Sequence, residues 1–167
     1  MNESFEHAVI VQDDAIVCRN FVAAVDRVIE ACPDHPVVLF YPGSKLRSTR
    51  ERRRAQGKTL FKMNRLDHLP VVATLWPVDK ARFFYEWTTD VKLPGMRKPY
   101  RSDDAVAGYW MRLTRQDVYV TMPSLVQHPD DVDPVKDGNH EAAYGRNKGR
   151  VAFQFCEGDP LAIEWRA

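Results

Sequence analysis

Of the three pairs of adjacent aspartates in this chain two stand out, Asp13-Asp14 and Asp103-Asp104, each at a place where an element is expected to begin or end. The first pair closes the run Ala8-Val9-Ile10-Val11-Gln12-Asp13-Asp14-Ala15. Two carboxylates at the end of a strand either hold a cation or repel each other in a partly dry cleft. The plainer reading is a polar turn that closes the strand, because Asp favours turns. The second pair follows Ser102, which makes Ser102 a helix cap and the two acids a first turn that complements the helix dipole.

The elements that must position these acids follow from the apolar pattern. Val9, Ile10 and Val11 are β-branched and unbroken by polar residues, a pattern that suits a strand buried on both faces. Phe21, Val22, Val25, Val28, Ile29 and Cys32 recur at helical spacing over Arg19 to Cys32, with Asn20 as a plausible cap and Pro33 as the stop. Pro36 to Tyr41 reads as a second buried strand. Strand, helix and strand in this rhythm predict a βαβ unit: a parallel pair with a right-handed crossover. Pro70 to Leu75 is a third strand, ended by Trp76-Pro77. Asp79 to Val91 is helical and carries an aromatic cluster, Phe83, Phe84, Tyr85 and Trp87. Most of that cluster is expected in the core, where large rings supply packing area. One or two rings could instead line a sugar or base platform. A helix from Ser102 to about Arg115, a strand at Val118 to Met122 and a last strand at Val151 to Phe155 complete the pattern. The fold class is therefore α/β.

Residues 45–65 differ in composition. Nine cations, Lys45, Arg47, Arg50, Arg52, Arg53, Arg54, Lys58, Lys62 and Arg65, face one acid, Glu51. Such a run is a solvated, mobile face, or a loop that closes over an anion. Its apolar residues, Leu46, Leu60, Phe61 and Met63, sit at its ends, so it is expected to contribute charge rather than core. Arg146, Lys148 and Arg150 form a second, smaller basic cluster.

Bulk properties narrow the classes. A length of 167 residues suffices for one domain with a proper core, and 44% hydrophobic content is that of a folded protein. A net charge of +1 argues against a general electrostatic trap for nucleic acid. No apolar stretch is long enough to span a bilayer. Met1 to His7 is polar and contains Glu3 and Glu6, unlike a signal peptide, so a cytoplasmic protein is expected. Cys18, Cys32 and Cys156 form no Cys-x-x-Cys pair, which leaves neither a zinc knuckle nor a redox motif.

The order of these parts resembles the GT-A-fold glycosyltransferases. A strand ends in Gln12-Asp13-Asp14-Ala15, Trp76-Pro77 leads into a helix, Ser102-Asp103-Asp104 opens another, and Val118-Tyr119-Val120-Thr121-Met122-Pro123-Ser124-Leu125-Val126-Gln127-His128 follows. The likeness is strongest to small bacterial and actinobacteriophage proteins of this type, and it covers about Val9 to His128. It implies a GT-A-like mixed sheet flanked by helices, and a manganese or magnesium ion that bridges the diphosphate of a nucleotide-sugar donor. On this resemblance Gln12, Asp13 and Asp14 contact the ion and donor, with Asp14 the direct ligand. His128 completes the metal shell, and Asp103 or Asp104 is the base on the acceptor hydroxyl. Arg146 and Lys148 are candidate donor contacts. The acceptor is protein, DNA or glycan.

The chemistry is coherent on its own terms. Glycosyl transfer needs a leaving diphosphate stabilised by positive charge, an acceptor hydroxyl deprotonated late, and a dry cleft. A hard cation on carboxylate oxygens and one imidazole meets the first need. One feature departs from the family pattern. Only Met1 to His7 precede the acidic strand, whereas a nucleotide-binding half holds at least one βαβ unit of about 30 residues or more. The sheet is thus expected to be N-terminally incomplete, with a donor-binding half supplied by an extension or a separate chain. The competing expectation is a non-enzymatic binding protein on a GT-A-like remnant, which uses residues 45–65 on an anionic partner. A nuclease-like metal site ranks last, because no lysine or glutamate accompanies Asp13 and Asp14 in a nuclease pattern.

Overall fold

The computed structural model describes residues 6–13, 15–41, 56–63, 71–90, 103–127 and 154–166. Its strands in chain order are β1 (His7–Val11), β2 (Ile16–Val17), β3 (Val37–Leu39), β4 (Leu60–Met63), β5 (Ala73–Pro77), β6 (Val118–Thr121) and β7 (Val126–Gln127). Helix α1 is Phe21–Glu30, α2 is Val78–Asp90 and α3 is Asp103–Leu113, and a short 3-10 turn covers Pro160–Ala162. Five strands form one mixed sheet in the order β1-β5-β3-β6-β4, while β2 and β7 form a separate two-stranded ladder.

Side-chain alternation divides the sheet into two buried faces. Val38, Phe40, Leu60, Ala73 and Leu75 face α1, which contributes Ala24, Val25 and Val28. Val37, Leu39, Phe61, Met63, Trp76, Val118 and Val120 face the other way, onto Ala107, Trp110 and Met111 of α3 and Phe84 and Trp87 of α2. The helical spacing read for α1 therefore marks a core stripe at Phe21, Val25, Val28, Ile29 and Cys32, whereas Val22 of that reading points out and is 75% exposed. The centre of the second face is Trp110, which is fully buried. Its ring lies 5.3 Å from Phe84 and 5.9 Å from Trp76. Removing a buried Trp side chain costs about 3–5 kcal/mol, a large share of a total stability of about 5–15 kcal/mol. The aromatic cluster of α2 is thus split. Phe84 and Trp87 pack inward, whereas Phe83 and Tyr85 are exposed.

Three expectations change. First, β1 is not buried on both faces. Among the described residues it is an edge strand, paired only with β5 in the sheet, and Val9, Ile10 and Val11 are 41%, 52% and 39% exposed. An apolar run shows that a segment can be buried, not that layers reach it; here α1 and α2 leave the outer strand partly uncovered. Second, β1 and β3 do not pair. They run in the same direction, but β5 lies between them and is antiparallel to both. The one parallel pair among the described strands is β3–β6. Third, the expectation of charge without core fails at the end of the basic run. Leu60–Met63 is strand β4, antiparallel to β6, with Leu60, Phe61 and Met63 buried. Only its outward residue, Lys62, is exposed, and it pairs with Asp117 at 2.6 Å. Residues 45–55 and 64–65 of the run lie outside the described residues.

Smaller shifts have local causes. Trp76-Pro77 does not end β5 but completes it: Pro77 sits opposite His7 at the last pair of the ladder, where the strand is about to become helix. Asn20 does occupy the position before α1, in the left-handed conformation at φ 56°, but its side chain makes no capping bond. Its amide instead donates to Asp159 at 3.4 Å. Of the expected last strand, residues 151–153 lie outside the described residues, and Phe155 makes a single parallel bridge to Ser124. Among the described residues no helix is long and apolar enough to cross a membrane.

Candidate functional site

Strand directions decide which end of the sheet can carry a site. β1 and β3 are both antiparallel to β5, and β6 is parallel to β3, so β1, β3 and β6 all point the same way. Ligands of open α/β sheets bind outside the carboxyl ends of such strands. At that end lie Gln12 and Asp13 after β1, Phe40 and Tyr41 after β3, and Met122 to Gln127 after β6.

After β1 the chain turns. The Ala15 N–H donates to the Gln12 carbonyl at 3.2 Å, which closes a tight turn with Asp13 exposed within it. The polar-turn reading of the first acid pair is therefore realised for Asp13, and a turn at a strand end also exposes a carboxylate. The Gln12 N–H donates to the Val72 carbonyl at 2.9 Å. The neighbouring Val71 N–H donates to Asp104 Oδ1 at 3.0 Å. The acidic strand end and the first turn of α3 thus attach to the same dipeptide, just before β5.

The third segment arrives beside the first. β2 and β7 are antiparallel, with Ile16 opposite Gln127 and Val17 opposite Val126. The Cys18 N–H donates to the Leu125 carbonyl at 2.9 Å. The segments Ile16–Cys18, just after the Gln12-Asp13 turn, and Leu125–Gln127, more than a hundred residues apart in the chain, run side by side. The second of these is held firmly. Leu125 and Val126 donate to the Phe40 carbonyl at 3.1 and 3.3 Å, and Ser124 donates to the Gln154 carbonyl at 2.6 Å. Cys156 donates back to the Ser124 carbonyl at 2.9 Å, and the Met122 N–H donates to the Thr59 carbonyl at 2.8 Å. Leu125 and Val126 are fully buried, which satisfies the apolar part of the motif.

The two acids of α3 differ in surroundings. Asp104 is half-buried and anchors Val71. Asp103 is exposed, and its Oδ1 accepts the Asp104 N–H at 2.8 Å. The helix-start reading holds for both, since both sit in the first turn of α3. The Met122–Thr59 bond also brings the start of β4 to this end, and with it Lys58, a cation of the basic run. Periodicity could not have singled out Lys58 among nine similar cations; its place is fixed by the β4–β6 register.

Asp14, His128, Arg146 and Lys148 lie outside the described residues, and among the described residues no three His, Cys, Asp or Glu side chains converge as a metal group would. Nucleophilic thiol chemistry has no support at this end. Burial is the main cause that pushes Cys18 up to about 11, and it also raises Cys156, so both stay protonated at neutral pH. A cavity of about 820 Å³ lies at the opposite end of the sheet. Its walls include Met63 at the end of β4, Val118 at the start of β6, and Arg112 and Leu113 at the end of α3. Lys62 of the basic run also lines it, whereas Gln12, Asp13, Asp103 and Asp104 do not. No protein-family model and no curated protein matches this sequence.

Proposed function

We propose that this chain is a metal-dependent glycosyltransferase of the GT-A type, or the catalytic half of one, acting from a nucleotide-sugar donor on an acceptor hydroxyl. The observation that carries the reading is the meeting of three separate motif segments at one end of the sheet. The Gln12-Asp13 turn, the first turn of α3 and the segment ending in Val126–Gln127 attach to one another or to the same backbone.

The donor set suits the ion this chemistry uses. Asp13, Asp14 and His128 offer carboxylate oxygens and one imidazole, which fit manganese and, with fewer protein contacts, magnesium. Such an ion, when bound, supplies positive charge to a departing diphosphate. Asp103 is the better base, because its carboxylate is exposed while Asp104 holds the Val71 backbone. Asp104 is then a positioning residue that fixes the first turn of α3 against the chain leading to β5. Lys58, Arg146 and Lys148 are the cations assigned to the donor phosphates in this reading. The outer edge of β1 pairs with no strand among the described residues, so a donor-binding half can extend the sheet beside the Gln12-Asp13 turn.

Calorimetric titration of Mn²⁺ tests the reading directly, in the presence and absence of nucleoside diphosphates. Saturable Mn²⁺ binding that strengthens with diphosphate, and that Asp14→Ala abolishes, is the expected result. Mn²⁺ affinity that is unchanged in Asp13→Ala, Asp14→Ala and His128→Ala refutes the metal-site assignment.

A further inference from the structure

We propose that His7 and His35 form a second metal site, one for a borderline transition-metal ion such as Zn²⁺ or Ni²⁺. The site is separate from the acidic end of the sheet. His7 begins β1 and His35 lies in the turn between α1 and β3, 28 residues apart. Their facing nitrogens, Nε2 of His7 and Nδ1 of His35, are 3.0 Å apart, with ring centroids at 5.0 Å and a 36° tilt. Two imidazole nitrogens on a tetrahedral ion, each at about 2.0–2.1 Å, stand about 3.3 Å from each other. A few tenths of an ångström of opening converts the observed pair into two ligands of one ion.

The backbone presents the rings rather than leaving them to chance. His35 is a non-glycine residue at φ 45°, a conformation that needs outside support. That support is visible on both sides of the residue. Its N–H donates to the Cys32 carbonyl at 3.0 Å, and Lys80 Nζ donates to its carbonyl at 2.7 Å. His7 is fixed by its pairing opposite Pro77, and the next residue toward the N-terminus, Glu6, accepts the Val78 N–H at 2.9 Å. The entropy of placing two ligands is thus largely spent on folding.

The charges around the pair favour a cation. Glu6, just before β1, and Asp79 in the first turn of α2 both act on His7 as negative neighbours, and Asp34 adjoins His35. Lys80 opposes them, with its ammonium engaged at the His35 carbonyl. Burial, followed by the His35 ring, holds His7 below its usual value. Without a metal the same contact is an imidazole–imidazole hydrogen bond in an exposed setting, worth about 0.5–1.5 kcal/mol. Imidazole donors select zinc, nickel or copper over magnesium, with waters to complete the shell. β1 is five residues long, so the pair stands about 17 Å from the acidic turn at the strand's other end. A bound ion would tie the open edge strand to the α1–β3 turn.

Zn²⁺ titration of the whole chain at about pH 7.5, where imidazole is neutral, followed by calorimetry and thermal unfolding, tests the site. The variants are His7→Gln and His35→Asn, both polar, with Asn tolerant of positive φ. Saturable binding is expected that raises the melting temperature. Each variant should weaken it about tenfold or more, the scale of loss seen even when an outer partner of a ligand is removed. Mg²⁺ should not compete, and Asp14→Ala should leave the Zn²⁺ affinity unchanged. Absent saturable binding, binding that survives both histidine variants, or binding lost only with Asp14→Ala overturns the proposal. The last outcome would assign the Zn²⁺ to the acidic end instead.

Discussion

The two acids at the start of α3 look alike in sequence and should behave differently on mutation. Asp104→Ala removes the acceptor of the half-buried Val71 N–H, a bond of 3.0 Å. An amide left without a partner costs about 1–3 kcal/mol. For a domain of this size each kcal/mol lowers the melting temperature by about 2–4 °C. The expected loss is therefore about 2–12 °C. Asp103→Ala removes an exposed carboxylate whose bond is to its own neighbour. What remains is its favourable position near the helix N-terminus, worth about 0.3–1 kcal/mol, so the shift should stay below about 4 °C. Asp104→Asn keeps an oxygen acceptor for Val71 and loses only the charge, so it should fall between the two. Thermal and urea unfolding followed by far-UV circular dichroism give all three values. Equal losses for Asp103→Ala and Asp104→Ala, or no recovery in Asp104→Asn, would refute the anchor role of Asp104. The division of labour between positioning and base would fall with it.

Two further outcomes follow from buried groups. Thr121 is fully buried, and its Oγ1 has no hydrogen-bond partner among the described residues, so Thr121→Val should be neutral or stabilising by up to about 1–2 kcal/mol in urea unfolding; a loss above about 1 kcal/mol would show that the hydroxyl is satisfied in solution. Burial pushes the Cys18 and Cys32 thiols up from 9.0 to about 11. The folded chain therefore favours the protonated thiols. Their contribution is present below pH 9 and is lost as pH rises toward about 11, so stability should fall across that window. Native protein should react slowly with a thiol reagent at about pH 8 and quickly once unfolded. Fast native labelling of both residues would contradict their burial.

The sequence by itself determined the helices and four strands of the main sheet, β1, β3, β5 and β6, but not β2, β4 or β7. Helical spacing in Phe21 to Cys32 marked the stripe that now packs on the sheet, and Pro33 follows soon after its end. The apolar runs at Pro36 to Tyr41, Pro70 to Leu75 and Val118 to Met122 each contain or overlap a strand of the sheet. These are local matters: side-chain periodicity and backbone chemistry are written in neighbouring residues. Asp13 and the pair Asp103-Asp104 were also legible as turn and helix-start residues, because Asp favours both places.

Only the tertiary structure decided how these parts meet. β1 and β3 read as a parallel pair because they flank a helix, yet β5, more than thirty residues later, inserts between them. Which strand takes a given edge depends on long-range competition for hydrogen bonds, and no local pattern encodes it. The same holds for exposure. Val9, Ile10 and Val11 are as apolar as any core strand, but they lie at an edge that the described helices do not cover. Leu60 to Met63 shows the converse, a buried strand at the end of a basic run, where three alternating or adjacent apolar residues outweigh the charges around them. Asp104 and Asp103 are equivalent in sequence and divide only because Val71 comes within reach of one of them. His7 and His35 carry no motif at all. Their contact exists because the first strand and the turn after α1 are brought to the same corner of the fold, with Lys80 of α2 bonded to the His35 carbonyl beside them.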